Sequence, residues 1–171
     1  MKTIATISIM AMAILVSSCN NSTGDKVSVA ESETVAESVT DVFAKGNMLE
    51  NNPNFTGDAW LEMFVTAADS MDCTVGNVTF APGVRNSWHS HPGGQILLCT
   101  SGRGYYQAKG EPIRLLMPGD VVKIAPDVIH WHGAVPDSEF THIAIGTQTG
   151  KGDAQWFGPV TDEEYNSYTE K

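Results

Sequence analysis

Gly83-Val84-Arg85-Asn86-Ser87-Trp88-His89-Ser90-His91-Pro92-Gly93-Gly94-Gln95 reads as a strand end, a sharp bend and the start of a second strand. Residues two apart on a strand point to the same face, with Cβ atoms about 7 Å apart, so His89 and His91 aim one way. One ion can use both imidazoles only if the strand end bends, and Pro92-Gly93-Gly94 supplies that bend. Gln95 then opens the next strand, close enough to offer its carbonyl oxygen. A second pair, His130-Trp131-His132, repeats the pattern, and all five histidines lie between positions 89 and 142. Imidazole nitrogen with amide oxygen suits Mn²⁺, Fe²⁺, Co²⁺, Ni²⁺ or Zn²⁺. No thiolate stands nearby, which argues against a structural zinc site. Spacing alone leaves a second explanation open, because hydrogen-bonded and surface histidine pairs are common.

Working outward, the chain keeps the grammar of short strands. Segments 59–65, 74–80, 95–100, 105–108, 113–117, 121–124 and 142–145 are apolar or alternating, and Gly, Pro and Asp punctuate the gaps. Such a series predicts an all-β sandwich or barrel. Thr161 and Glu164 form a capping-box pattern that predicts a short C-terminal helix over 163–168.

The N-terminal part has a different character. Lys2 precedes an apolar run from Ile4 to Val16, too short to span a bilayer but suited to a signal peptide. Val16-Ser17-Ser18-Cys19 resembles a bacterial lipobox, so residues 1–18 are expected to be removed and Cys19 lipidated. Several acyl chains on one Cys would anchor the protein stably. This places the protein on the bacterial cell envelope, tethered to a membrane through its N-terminal lipid and facing the periplasm. Residues 19–45 are rich in Ser, Thr, Glu and Asp and are expected to form a flexible stalk, with the barrel domain over 46–171. Loss of residues 1–18 removes one base and no acid, leaving 9 basic against 20 acidic residues. That balance excludes nucleic acid and anionic lipid as electrostatic partners. An exported chain could pair Cys73 with Cys99, but two cysteines carry no spacing signature, and two thiols acting as small apolar residues is the simpler expectation.

The stretch from Gly83 through His89, His91 and Gln95 to Gly102 resembles the first cupin motif. Gly119-Asp-Val-Val-Lys-Ile-Ala-Pro-Asp-Val-Ile-His130 resembles the second. The family has Glu more often at position 95, and Pro and Gly where this chain has Ala125 and Asp127. The resemblance spans roughly residues 54–160. It implies a double-stranded β-helix, a jelly-roll-like barrel, whose metal is held by His89, His91, Gln95 and His130. Asn54-Phe-Thr-Gly57, His130-Trp-His-Gly-Ala134, Thr141-His-Ile-Ala-Ile145 and Pro159-Val-Thr-Asp-Glu-Glu-Tyr165 resemble a narrower group. These are small bacterial cupins that include manganese-dependent hydroxynitrile lyases and relatives of carboxymuconolactone decarboxylases, and the lyases also use Gln as fourth ligand.

That likeness implies a metal-dependent enzyme acting on a small oxygenated molecule, with manganese as the first choice of ion and Fe, Zn, Ni or Co as alternatives. Neutral ligands leave the ion's charge uncompensated, which favours Lewis-acid chemistry. His132 and His142 are the candidate proton carriers. Gly76, Val78, Asn86 and Gly146 are the expected pocket positions. The lyase pattern has Thr where this chain has Asn86 and Gln where it has Gly146, which enlarges the cavity and removes a hydrogen-bond partner. A cupin dioxygenase using iron and a non-catalytic small-ligand or metal-binding protein stand as the alternatives. Cupins commonly pair, so a homodimer is compatible with the resemblance.

Overall fold

The computed structural model describes residues 42–169. The signal peptide, Cys19 and most of the stalk expected from the sequence lie outside the described residues. Among the described residues there are eleven strands: β1 (Asn47–Met48), β2 (Ala59–Val65), β3 (Cys73–Phe80), β4 (Trp88–Ser90), β5 (Gln95–Gly102), β6 (Gly104–Ala108), β7 (Arg114–Leu116), β8 (Val121–Ile124), β9 (His130–Ala134), β10 (Phe140–Thr147) and β11 (Gln155–Gly158). They form a six-stranded sheet ordered β1-β2-β3-β10-β5-β8 and a five-stranded sheet ordered β11-β4-β9-β6-β7. From β3 onward the chain crosses repeatedly between the sheets, and neighbouring strands are antiparallel. This is the all-β barrel the sequence predicts.

Strand alternation sorts the side chains into two cores. Ala59, Phe80, Leu97, Cys99, Leu116, Val122, Ile124 and Phe140 fill the space between the sheets. Trp88, Tyr105, Trp131, Val135, Val160 and Tyr165 form a second cluster. Because Trp88 neighbours His89 and Trp131 neighbours His130, the tryptophans stand on the opposite face of the five-stranded sheet from the histidines. The C-terminal segment covers them. Arg85, 6% exposed, donates twice to the Val160 carbonyl, pairs with Asp162 at 2.6 Å and lies over the Tyr165 ring. The Tyr165 hydroxyl donates to the Ala134 carbonyl at 2.7 Å.

The helix α1 spans Asp162–Tyr165, shorter than the expected 163–168. Its capping box is present, with Thr161 Oγ1 accepting from Glu164 N and Glu164 Oε2 accepting from Thr161 N. It ends because Ser167 turns back, its hydroxyl and amide both meeting the Glu164 carbonyl. At the other end, barrel contacts begin three residues before the boundary drawn from composition. Phe43 packs on Phe64, Asn77 donates to the Ala44 carbonyl, and Lys45 sits over Trp60 and pairs with Glu139.

Cys73 and Cys99 are free thiols. They flank β10 on different strands, opposite Thr147 and His142 respectively. Two strand spacings of about 4.8 Å separate them laterally and about five residues along the strand, far beyond disulfide reach.

Candidate metal centre

Register brings the histidines together. His89 on β4 lies directly opposite His130 on β9, and their rings are 4.2 Å apart. His132 follows two residues along β9, on the same face, and Gln95 opens β5 on the facing sheet. His91 stands just past β4, where the chain turns: its carbonyl accepts from the amides of Gly94 and Asp127. The turn needs glycine at position 93, because a Cβ there would collide with the Thr147 carbonyl oxygen. The same turn is tied to β10 by the Thr147 hydroxyl, which donates to the Gly93 carbonyl at 2.7 Å.

Hydrogen bonds define which ring nitrogens are available. His89 Nδ1 donates to the Ser87 carbonyl and His130 Nδ1 to the Val128 carbonyl, both at 2.9 Å. A carbonyl only accepts, so the protons sit on Nδ1 and both Nε2 atoms carry lone pairs. Gln95 Oε1 lies 3.1 Å from His130 Nε2. His91 Nε2 is buried without a partner. Buried polar atoms are normally paired, and a cation beside the His89 and His130 Nε2 atoms would pair both. The His91 ring stands 5.2 Å from that of His89 and 5.8 Å from that of His130, and imidazole nitrogen with amide oxygen suits a divalent ion.

A second grouping overlaps the first. His89, His130 and His132 each offer a ring nitrogen within 4.8 Å of the other two. Both ring nitrogens of His132 lie beside other side chains. Asn86 Oδ1 accepts from the His132 amide at 3.0 Å, which fixes the Asn86 side chain so that Nδ2 faces the ring. Nδ2 is 3.1 Å from His132 Nε2 and 3.4 Å from Nδ1. His132 Nδ1 is in turn 3.2 Å from His142 Nε2. His142 is fully buried, and its Nδ1 lies near the Ile143 backbone without a hydrogen bond of ordinary geometry.

Every imidazole is held neutral. Burial pushes His130 down to about 4 and His142 to about 3, against the opposing pull of backbone carbonyls. Burial also lowers His91, and it lowers His89 and His132 well below the ordinary range, with neighbouring imidazoles adding to the effect for these two. Neutral histidine is the metal-binding form.

A cavity of about 130 Å³ opens onto this cluster, lined by Phe55, Val78, Asn86, His89, His91, Gln95, His132, Ala144 and Trp156. Val78 and Asn86 are on the wall. Gly76 is not: Leu61 and Met63 from β2 lie over the place its Cβ would occupy. Gly146 lines a different, larger hollow of about 440 Å³ that also touches His91. His142 stands behind His132, away from the wall. Phe55, Ala144 and Trp156 are the wall residues that the sequence did not single out. Trp156 lies on β11, its ring 4.8 Å from His89, and no alternation in Gln155-Trp-Phe-Gly158 signals it.

The chain is similar to known proteins over this region. The family described as cupin domain matches residues 76–146. An (R)-mandelonitrile lyase of Granulicella tundricola is 40% identical over 111 residues, 65% of this chain and 85% of that one. The crystal structure of a cupin-like protein of Thermotoga maritima is 50% identical with a TM-score of 0.73, over 77% of this chain and 98% of that one. A polyketide cyclase of Streptomyces resistomycificus, at 11% identity and TM-score 0.55 over 67% and 80% of the two chains, is alike in fold alone.

Proposed function

Because this chain belongs to the cupin family, we propose that it is a metal-dependent lyase that splits a small cyanohydrin into an aldehyde and hydrogen cyanide. The observation that carries the proposal is the buried group of His89, His130 and His132, whose ring nitrogens lie within 4.8 Å of one another, with Gln95 and the unpartnered His91 Nε2 beside it. When bound there, a divalent ion, manganese by preference, supplies positive charge that stabilises a developing oxyanion without redox change. The 40% identity to a mandelonitrile lyase supports the reaction type.

The chain's own residues divide the remaining work. Phe55, Val78, Ala144 and Trp156 give the cavity apolar walls, and its volume of about 130 Å³ is close to the roughly 150 Å³ that accepts a benzene ring. His132 reaches the wall as a neutral imidazole and takes the substrate hydroxyl proton. The carbon–carbon bond then breaks with its electron pair on cyanide, and the carbonyl forms. Return of the proton to cyanide completes the balance. His142, hydrogen-bonded to His132 Nδ1, holds the ring in place and can share its charge. The lipobox-like Cys19 supports placing this activity on the cell envelope.

Manganese-loaded protein should release benzaldehyde from mandelonitrile above the buffer rate without consuming O₂. His91→Ala should lose the ion. His132→Ala should retain it and lose about 100-fold in rate, as for a positioned acid–base group. Failure to retain any divalent ion in equilibrium dialysis would refute the metal site. O₂ uptake by the iron form without cyanohydrin cleavage would identify a dioxygenase instead.

A further inference from the structure

We infer that the hollow beside His91 is a second substrate compartment that takes a neutral, hydroxyl-bearing substituent, and that Gly146 is the opening between it and the apolar cavity. The inference rests on the lyase reading above, which puts the reacting carbon beside the histidines. The hollow measures about 440 Å³ against about 130 Å³ for the apolar cavity, and His91 stands on the wall of both. Register places the joint. Gly146 on β10 lies between Gln95 on β5 and Thr74 on β3, and residues directly opposite on neighbouring strands share a face. Gln95 belongs to the apolar cavity and Thr74 to the hollow. A side chain at position 146 would therefore stand between the two spaces, its Cβ 2.6 Å from Thr74 Oγ1. Among the described residues, and apart from the chain neighbours of Gly146, only Thr74 comes within 4 Å of that point, so glycine leaves the passage open.

The two compartments differ in chemistry. Phe55, Val78, Ala144 and Trp156 make the cavity apolar, whereas Thr74, Thr149 and Asp153 bring two hydroxyls and a carboxylate to the hollow. Among the described residues none of these three side chains has a hydrogen-bond partner. The Thr147 hydroxyl, by contrast, is committed to the Gly93 carbonyl at 2.7 Å. The wall is braced before any ligand arrives: the Thr147 amide donates to the Gly94 carbonyl at 3.2 Å and the Gln148 amide to the Asp72 carbonyl at 3.0 Å. Little ordering is then left to oppose binding. Threonine hydroxyls donate and accept, and a carboxylate only accepts. Alcohol groups satisfy all three, whereas an ammonium would leave the hydroxyl hydrogens unused. Among the described residues no Lys or Arg lines the hollow, and the chain carries 10 basic against 20 acidic residues, so a carboxylate or phosphate there would meet uncompensated repulsion. The substrate class is a cyanohydrin whose apolar end sits beside Trp156 and whose hydroxylated end passes Gly146.

Binding of unreactive probes to the full-length protein tests this apart from catalysis. Benzyl alcohol carries the ring alone, methyl β-D-glucoside the hydroxylated part alone, and benzyl β-D-glucoside both. By isothermal titration the joined probe should bind about tenfold tighter than benzyl alcohol, the scale of one or two net hydrogen bonds, and tighter than the methyl glucoside. Gly146→Leu should bring the two benzyl probes to equal affinity. Benzyl β-D-glucuronide, the same shape with a carboxylate, should bind more weakly than the glucoside, and Asp153→Asn should narrow that gap. A merely structural role for Asp153 would move both probes alike. Asp153 is exposed, so its variant serves where Gly146→Leu fails to fold. A glucoside that binds no tighter than benzyl alcohol or methyl glucoside would overturn the second compartment. So would a preference that survives Gly146→Leu, or a glucuronide gap indifferent to Asp153→Asn. Failure to cleave mandelonitrile with any metal, with the binding pattern intact, would sink the lyase reading and leave a two-compartment binding site.

Discussion

Acid should unfold the metal-free protein at a pH where most carboxylate-rich domains are still stable. The perturbation is protonation of the buried imidazoles. His130 and His142 are pushed down by burial to about 4 and about 3, whereas in the unfolded chain each titrates near 6.5. Their native pKa values are depressed, so the unfolded state binds more protons between these limits. Stability is complete above pH 6.5 and is lost as the pH falls towards 4 and 3. At pH 5 each group favours unfolding by about 2 kcal/mol, and the pair by about 4 kcal/mol. His89, His91 and His132 shift in the same direction and add to this. Against a total of roughly 5–15 kcal/mol for an ordinary domain, that is enough to move the midpoint substantially. The assay is urea unfolding of EDTA-treated protein by tryptophan fluorescence at half-unit steps from pH 7.5 to 4.5. The expected slope corresponds to at least two protons taken up on unfolding, and His142→Gln should remove about one. A midpoint that stays flat from pH 7 to 5 would show that these rings are solvated or already charged, and the buried neutral cluster would be wrong.

Arg85→Ala should cost about 2–3 kcal/mol, because charge-assisted hydrogen bonds to the Val160 carbonyl are lost, and should raise proteolysis of the C-terminal segment. Gly93→Ala forces a methyl group against the Thr147 carbonyl, so urea unfolding should show a loss of about 1–3 kcal/mol and dialysis weaker metal uptake. Phe80→Ala empties a site beneath His132 and His142 and should cost about 3–5 kcal/mol by the same unfolding assay. Palmitate should label the wild-type protein in bacterial cells and not Cys19→Ala; an unlabelled wild type would refute the lipid anchor.

The strand pattern carried most of the architecture, since period-two alternation is a property of sequence and the two His-x-His pairs needed only parity to face the same way. What the sequence lacked was register. Nothing in spacing says that His89 lies opposite His130, or that β11 adds Trp156 to the cavity rim. β11 was hidden because its four residues are largely exposed and show little contrast between faces. The sequence likewise grouped Asn86 with Gly76 and Gly146 as pocket positions. Of these positions only Asn86 and Val78 line the cavity beside the histidines, and Asn86 is held there by the His132 backbone amide, a bond that no periodicity encodes. The difference between His91 and His132 is of the same kind: both are one step of two from a ligand, and only the partners of their nitrogens separate them.

Tryptophan and histidine alternate on both β4 and β9, so each of these strands serves two interiors at once. What matters for the loops before and within this region is therefore parity as much as length. An insertion of one residue that shifted β4 in register would present Trp88 to the ion and His89 to the aromatic cluster under α1, losing both in a single event, whereas an insertion of two would restore the faces. Sequence drift in the connections flanking β4 and β9 should accordingly favour changes that the loop absorbs entirely or that come in pairs. A library of single and double insertions after Gly83, scored for folded yield, would display that odd–even rhythm.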